Sequence, residues 1–132
     1  MEQKFLIDTN LIIYYFDRSK EKTYSESVIQ RIKDLFLSSF TISVISEIEF
    51  LGWSGFTPDQ KRLAMNLISL SRIIPLDEAI ASKTIDIRQR TKIRMPDAII
   101  AATAIVNDLR IATRNTKDFI DIEGLTVYNP FS

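Results

Sequence analysis

Short apolar runs of strand length alternate along the chain with longer segments of helical periodicity. The runs fall at Phe5-Leu6-Ile7, Phe40 to Val44, Arg72 to Leu76, Arg110 to Thr113 and Leu125 to Tyr128. They are rich in Ile, Val, Phe and Thr, which suit strands. Between them, Ser25 to Ser38 spaces Val28, Ile32, Leu35 and Phe36 for one helical face. Thr57-Pro58-Asp59-Gln60 reads as a helix start, with Thr as N-cap, Pro at the first position and Gln60 closing a capping box. Leu63, Leu67 and Leu70 are its expected apolar face. Asp77 caps a further helix that carries Ile80, Thr84, Ile87 and Thr91 on one stripe. Strands alternating with helices predict an α/β fold whose mainly parallel sheet of about five strands is covered on both faces. No repeat and no Gly- or Ser-rich linker interrupts the pattern, so residues 1–132 are expected to form a single domain.

Composition narrows the chemistry. The chain has 132 residues, 45% hydrophobic and 26% charged, with 3 Gly and 4 Pro, which excludes a disordered or collagen-like polymer. Cys and His are both absent. That removes disulfides, thiolate nucleophiles, His-based triads and the usual zinc ligands. Any reaction must use carboxylates, hydroxyls, amides and basic side chains. The absence of Cys fits a reducing, cytoplasmic setting. The first residues, with Asp8 interrupting the apolar run, read as neither a signal peptide nor a membrane span. The 17 acidic and 17 basic residues cancel, so a nucleic-acid site would be a local patch.

Four polar stretches stand where a core has no need of them. Asp8-Thr9-Asn10 ends the first strand, at the edge where open parallel sheets bind ligands; Asp8 or Asn10 as a simple helix cap is the competing reading. Ser46-Glu47-Ile48-Glu49 follows the second strand. Glu49 is the better site candidate of its two acids, and a capping box between Ser46 and Glu49 is the alternative. Pro96-Asp97 opens a helix that is apolar nearly all round, where an acid is costly to bury, although the helix dipole favours a carboxylate there. Thr113-Arg114-Asn115-Thr116-Lys117-Asp118 follows the fourth strand, and as an ordinary polar loop it would need no function. Gathered in one cleft, such acids would repel one another unless a cation intervened. Oxygen ligands alone suit Mg²⁺ or Mn²⁺, which can activate water against a phosphodiester without histidine.

These stretches, in this order and spacing across nearly the whole chain, resemble the PIN-domain ribonucleases, and within them the VapC-like toxins of type II toxin–antitoxin systems. The resemblance implies a three-layer α/β/α sandwich and a Mg²⁺- or Mn²⁺-dependent endoribonuclease. It implies Asp8, Glu49 and Asp97 as acidic metal ligands and catalytic residues. The family often has Asp where this chain has Asn115, so Asp118 is expected as the fourth carboxylate. Thr9, Asn10, Thr113 and Asn115 would support the site. Arg88, Arg90, Lys92 and Arg94 cluster before Asp97; Arg94, Arg114 and Lys117 are the candidate RNA contacts. A cognate antitoxin and a homodimer are the implied partners, and the aromatics Trp53, Phe56 and Tyr14-Tyr15-Phe16 either line such an interface or pack in the core. A PIN-like RNA-binding module without catalysis is the alternative. A phosphoryl-transfer receiver domain is disfavoured, since no paired acids follow the first strand and no lone Asp ends the third.

One topological difficulty accompanies this reading. Two helices, from Asp77 to about Thr91 and from Pro96 onward, separate strands three and four. A simple down-then-up pair would start the second at the wrong end of the sheet for Asp97. The first helix is therefore expected to lie across the sheet or return upward.

Overall fold

A computed structural model describes residues 4–19 and 21–132. Five short strands form: β1 (Phe5–Ile7), β2 (Thr41–Ser43), β3 (Arg72–Ile74), β4 (Arg110–Ala112) and β5 (Val127–Tyr128). Six α-helices accompany them: α1 (Thr9–Phe16), α2 (Glu26–Ser38), α3 (Val44–Leu51), α4 (Pro58–Ser69), α5 (Glu78–Arg90) and α6 (Met95–Val106). Every strand pairing is parallel, as β1–β4–β5 and β2–β3. With β2 packed beside β1, the order across the molecule is 3-2-1-4-5. The chain builds outward from β1 on one side and then returns to its other side. The crevice between β1 and β4 is thus a topological switch point, where sheets of this kind bind ligands.

Strand alternation divides the core into two layers. Leu6 and Ile111, paired in register, face Ile80, Ile87 and the alanine-rich side of α6. Their neighbours Ile7 and Ala112 face the opposite way, into Leu11, Ile12, Val28, Ile32 and Phe36 of α1 and α2. The result is the expected three-layer α/β/α sandwich. α6 is buried over Ala98–Ala104 because its small side chains let the sheet and α5 approach closely.

Local signals explain most boundaries. Asp8, Ser25, Thr57 and Asp77 each cap a helix through the side chain, and Thr57 with Gln60 forms the capping box read from the sequence. Several expected features shift. β2 stops at Ser43 because Ser43, not Ser46, caps α3, with its hydroxyl accepting from the Ile45 N–H at 3.0 Å. The capping-box alternative for Ser46 and Glu49 is therefore excluded. β3 ends before Pro75, which has no N–H to donate. Of the expected Leu63-Leu67-Leu70 face of α4, Leu67 packs against the core but Leu63 and Leu70 do not. Ala64 and Ile68 reach the core instead, leaving Leu63 58% and Leu70 75% exposed.

The topological difficulty has a solution different from either expected one. The second half of α5 (Ile87, Arg90) and Thr91 share a cleft with Ile105 and with residues 121–124, just before β5. Another cleft runs along α5 from Ala81 to Gln89 and meets Met95 and Ile99 at the start of α6; α5 itself starts four residues after the carboxyl end of β3 and ends beside Ile105. The two helices therefore run in the same direction, both away from the carboxyl edge of the sheet. The link at 91–94 is extended and climbs back. Its five Cα steps span about 17 Å, enough to match the rise of about 15 Å between Met95 and Ile105. Arg90 is thereby carried to the far end of the sheet, where it hydrogen bonds Asp86 at 3.0 Å. Arg88 lines the α5–α6 groove. Arg94, of the expected basic cluster, stands beside Asp97.

The capping assignment makes a direct prediction. Ser43→Ala should lower stability by about 1 kcal/mol in urea unfolding. An unchanged midpoint would refute Ser43 as the cap of α3.

Candidate active site

The site begins at the carboxyl end of β1, where the chain must leave the sheet and start α1. Asp8 performs that turn, with Oδ1 accepting from the Thr9 N–H at 2.8 Å. Its N–H continues the ladder to the Ala112 carbonyl at 2.9 Å. The carboxylate lies in the β1–β4 crevice, only 5% exposed. Capping and site placement are thus one arrangement rather than alternatives.

Neutral donors surround it. Thr113, buried at the end of β4, donates its hydroxyl to Asp8 Oδ2 at 2.8 Å. Asn10 Nδ2 approaches the same oxygen at 3.3 Å and Thr113 Oγ1 at 3.2 Å. The Asn115 N–H also donates to Thr113 Oγ1, at 3.0 Å. Thr113 therefore uses its one proton and both lone pairs, which fixes its hydroxyl toward Asp8. The Asn10 carbonyl oxygen accepts from the Arg114 N–H at 3.4 Å, orienting the amide. Among the described residues no Lys or Arg pairs with Asp8. Burial consequently pushes its carboxyl up to about 6; hydrogen bonds from Thr113 and Thr9 oppose this, and the charges of Asp97 and Glu49 add to it.

The other acids approach from three further elements. Asp97 sits in the first turn of α6, half-buried, with the Arg94 guanidinium 3.8 Å away. Burial raises its carboxyl too; Arg94 opposes this, while Asp118 and Glu49 reinforce it. Glu49, near the end of α3, is exposed and accepts from Thr9 Oγ1 at 2.7 Å. Asp118 lies in a 3₁₀ turn after β4, where the Asn115 side-chain amide donates to its carboxylate. Asn115 thus orients the acid three residues after it. Asp97 and Glu49 act electrostatically on Asp8, and Asp118 and Glu49 on Asp97, although among the described residues no three acids are drawn together tightly enough to enclose an ion directly. The donor set is oxygen throughout, which fits a hard cation that keeps several waters and uses few carboxylates.

The remaining predicted residues divide. Arg114 is exposed and holds its guanidinium over the rings of Phe131 and Tyr24, at 4.6 and 5.4 Å. Lys117 is exposed in the same turn as Asp118. Tyr14 and Tyr15 pack among core aromatics, Tyr15 stacking on Phe36 with 4.1 Å between centroids. Phe16, Trp53, Phe56 and Leu63 line a cleft of about 560 Å³ that includes Glu49, with Trp53 60% exposed. A Cβ at Gly55 would lie 2.4 Å from that indole, so only glycine admits the ring over this turn. Ser46 was not among the residues expected at the site, yet its buried hydroxyl lies 2.9 Å from Thr9 Oγ1. Its position three residues before Glu49 was the available signal, and it reads equally well as a cap.

Comparison with known proteins agrees with this fold. The family model described as PIN domain matches residues 5–125. The chain is similar to Ribonuclease VapC10 of Mycobacterium tuberculosis, 36% identical over an alignment 89 residues long that covers 64% of this chain and 65%, just under two thirds, of that relative. It is similar to Toxin FitB of Neisseria gonorrhoeae, 30% identical over 96% of this chain and 97% of that one. Among solved structures, a chain of a toxin–antitoxin complex from Klebsiella pneumoniae superposes with a TM-score of 0.71 and 31% identity, covering 99% of both.

The elevated Asp8 carboxyl predicts a pH-dependent stability difference. The folded protein holds this proton up to about pH 6 and the unfolded chain only to its ordinary 3.8, so stability falls as pH rises through that window. Two pH units or so correspond to about 3 kcal/mol. Relative to wild type, Asp8→Asn should therefore gain about 3 kcal/mol between pH 4 and pH 7 in urea unfolding with chelator present. A difference that does not vary with pH would refute the buried, unpaired carboxylate.

Proposed function

The chain belongs to the PIN-domain family, and from that premise we propose that it is a divalent-metal-dependent endoribonuclease, the toxin of a toxin–antitoxin pair. The observation that carries this reading is Asp8. A carboxylate buried at the switch point, held by three neutral donors and facing two more acids, Asp97 and Glu49, is a standing negative site without its counter-charge. Asp8, Glu49, Asp97 and Asp118 are the proposed metal-holding and catalytic residues. Mg²⁺ or Mn²⁺ bound there would supply a water of lowered pKa and Lewis-acid stabilisation of phosphodiester charge.

The chain's own groups have separable tasks. Thr9, Asn10 and Thr113 fix Asp8 and Glu49 by hydrogen bonds from neutral donors, which orient the acids without neutralising them. Arg94 lies beside Asp97, and Arg114 and Lys117 flank the Asp118 turn; these three are the proposed phosphate contacts, which position RNA without reading its sequence. Stacking on Phe131 and Tyr24 holds Arg114 ready without the cost of ordering a free side chain. A scaffold that had lost its metal would have Asn115 as its motive. The hydrogen bond from Asn115 to Asp118 favours the catalytic reading instead.

Relatives named as a ribonuclease and a toxin, and a structural relative solved as a toxin–antitoxin complex, support the assignment of RNA as substrate and an antitoxin as partner. The aromatic cleft beside Glu49 is the proposed antitoxin contact, and a homodimer the proposed assembly. No helix among the described residues is long and apolar enough to cross a membrane, in keeping with the proposed cytoplasmic site of action.

Purified protein should cleave RNA in Mg²⁺ or Mn²⁺ and lose that activity in chelator. Asp8→Asn and Asp97→Asn should each lose more than roughly a hundredfold, beyond what outer residues of metal sites usually cost, while keeping a wild-type circular dichroism spectrum. Equal cleavage by folded variants and wild type would overturn the assignment.

A further inference from the structure

Ser46 lies in the first turn of α3, fully buried, and its hydroxyl does not serve its own helix: among the described residues its hydrogen-bonding partner is Thr9 Oγ1, at 2.9 Å, on α1. Thr9 Oγ1 is also 2.7 Å from Glu49 Oε1. A threonine hydroxyl has one proton, and a carboxylate only accepts. The geometry has Thr9 Oγ1 as donor toward both Ser46 and Glu49; its single proton goes to the carboxylate, which can only accept, and the Ser46 hydroxyl then turns to donate its own proton to Thr9. The three groups form a directed chain, from the Ser46 hydroxyl to the Thr9 hydroxyl to the Glu49 carboxylate. Each hydroxyl that accepts a bond becomes a stronger donor in the next.

Glu49 needs such a restraint. It is an exposed, rotamer-rich side chain near the end of its helix, and among the described residues Thr9 is its hydrogen-bonding partner. We infer that Ser46 is a positioning residue: acting through Thr9, it pins Glu49 Oε1 and leaves Oε2 directed for a divalent cation. The anchor is effective because Ser46 sits in the core, where it cannot exchange its partner for water. This inference rests on the proposed metal-dependent function and adds to it a residue outside the acidic set.

The test is calorimetric Mn²⁺ binding without RNA, alongside urea unfolding, for wild type, Ser46→Ala, Thr9→Val and the double variant. Ser46→Ala and Thr9→Val should each weaken Mn²⁺ binding roughly tenfold, as loss of an orienting partner does at metal sites. The double variant should bind no more weakly than Thr9→Val alone, since Ser46 acts only through Thr9. Ser46→Thr, which keeps the hydroxyl, should restore affinity. Should Ser46→Ala be too unstable to purify, Ser46→Cys, of similar volume and with a weaker donor, is read in the same way. Wild-type affinity in the serine variant, or independent losses that multiply in the double variant, would overturn the inference and leave the proposed function standing. A wild-type protein that binds no Mn²⁺ at millimolar concentration would overturn both.

Discussion

The burial of one carboxylate, Asp8, organises the carboxyl edge of this molecule. The first strand has to end where a helix begins, and a short acidic side chain satisfies the first free N–H of that helix. Placing it in the β1–β4 crevice removes it from water, and the cost appears as a carboxyl raised to about 6. Thr113, Asn10 and Thr9 lower that cost without cancelling the charge. Had the fold put a lysine or arginine there, the acid would be an ordinary buried ion pair. Surrounded by neutral donors and other acids, it is a site with an unmet electrostatic demand.

The rest of the molecule brings further acids to that demand. Parallel strands all end at one edge, so residues that follow β1, β2 and β4 are neighbours without any special device. Asp97 is different, because two helices precede its strand. The extended link at 91–94 returns the chain so that α6 can start at the correct edge. It also separates Arg90 from Arg94, adjacent in sequence terms but placed at opposite ends of the sheet.

Hydroxyls and amides do the fine positioning. Thr113 is saturated by one donated and two accepted bonds, Asn115 holds Asp118, and Ser46 with Thr9 restrains Glu49. A chain without histidine or cysteine has these groups as its means of orienting acids, and it places them on α1, on α3 and in the segment that follows β4.

How much of this was legible in the sequence differs by feature. Strand positions, the caps at Thr57 and Asp77, and the acids at segment ends follow from local chemistry: side-chain alternation, capping geometry and the cost of burying charge act within a few residues. The all-oxygen character of the site follows from composition alone. The α4 face did not follow, because Leu63 and Ala64 are one position apart and periodicity cannot choose between a large exposed side chain and a small buried one. Ser46 could not be told from a cap, since its partner is 37 residues away in sequence. The sequence by itself determined which groups were available and the order in which they arrive. The tertiary structure alone decided which of them meet, because a hydrogen bond from α3 to α1, or a link that reverses direction, depends on how separate elements are packed in space.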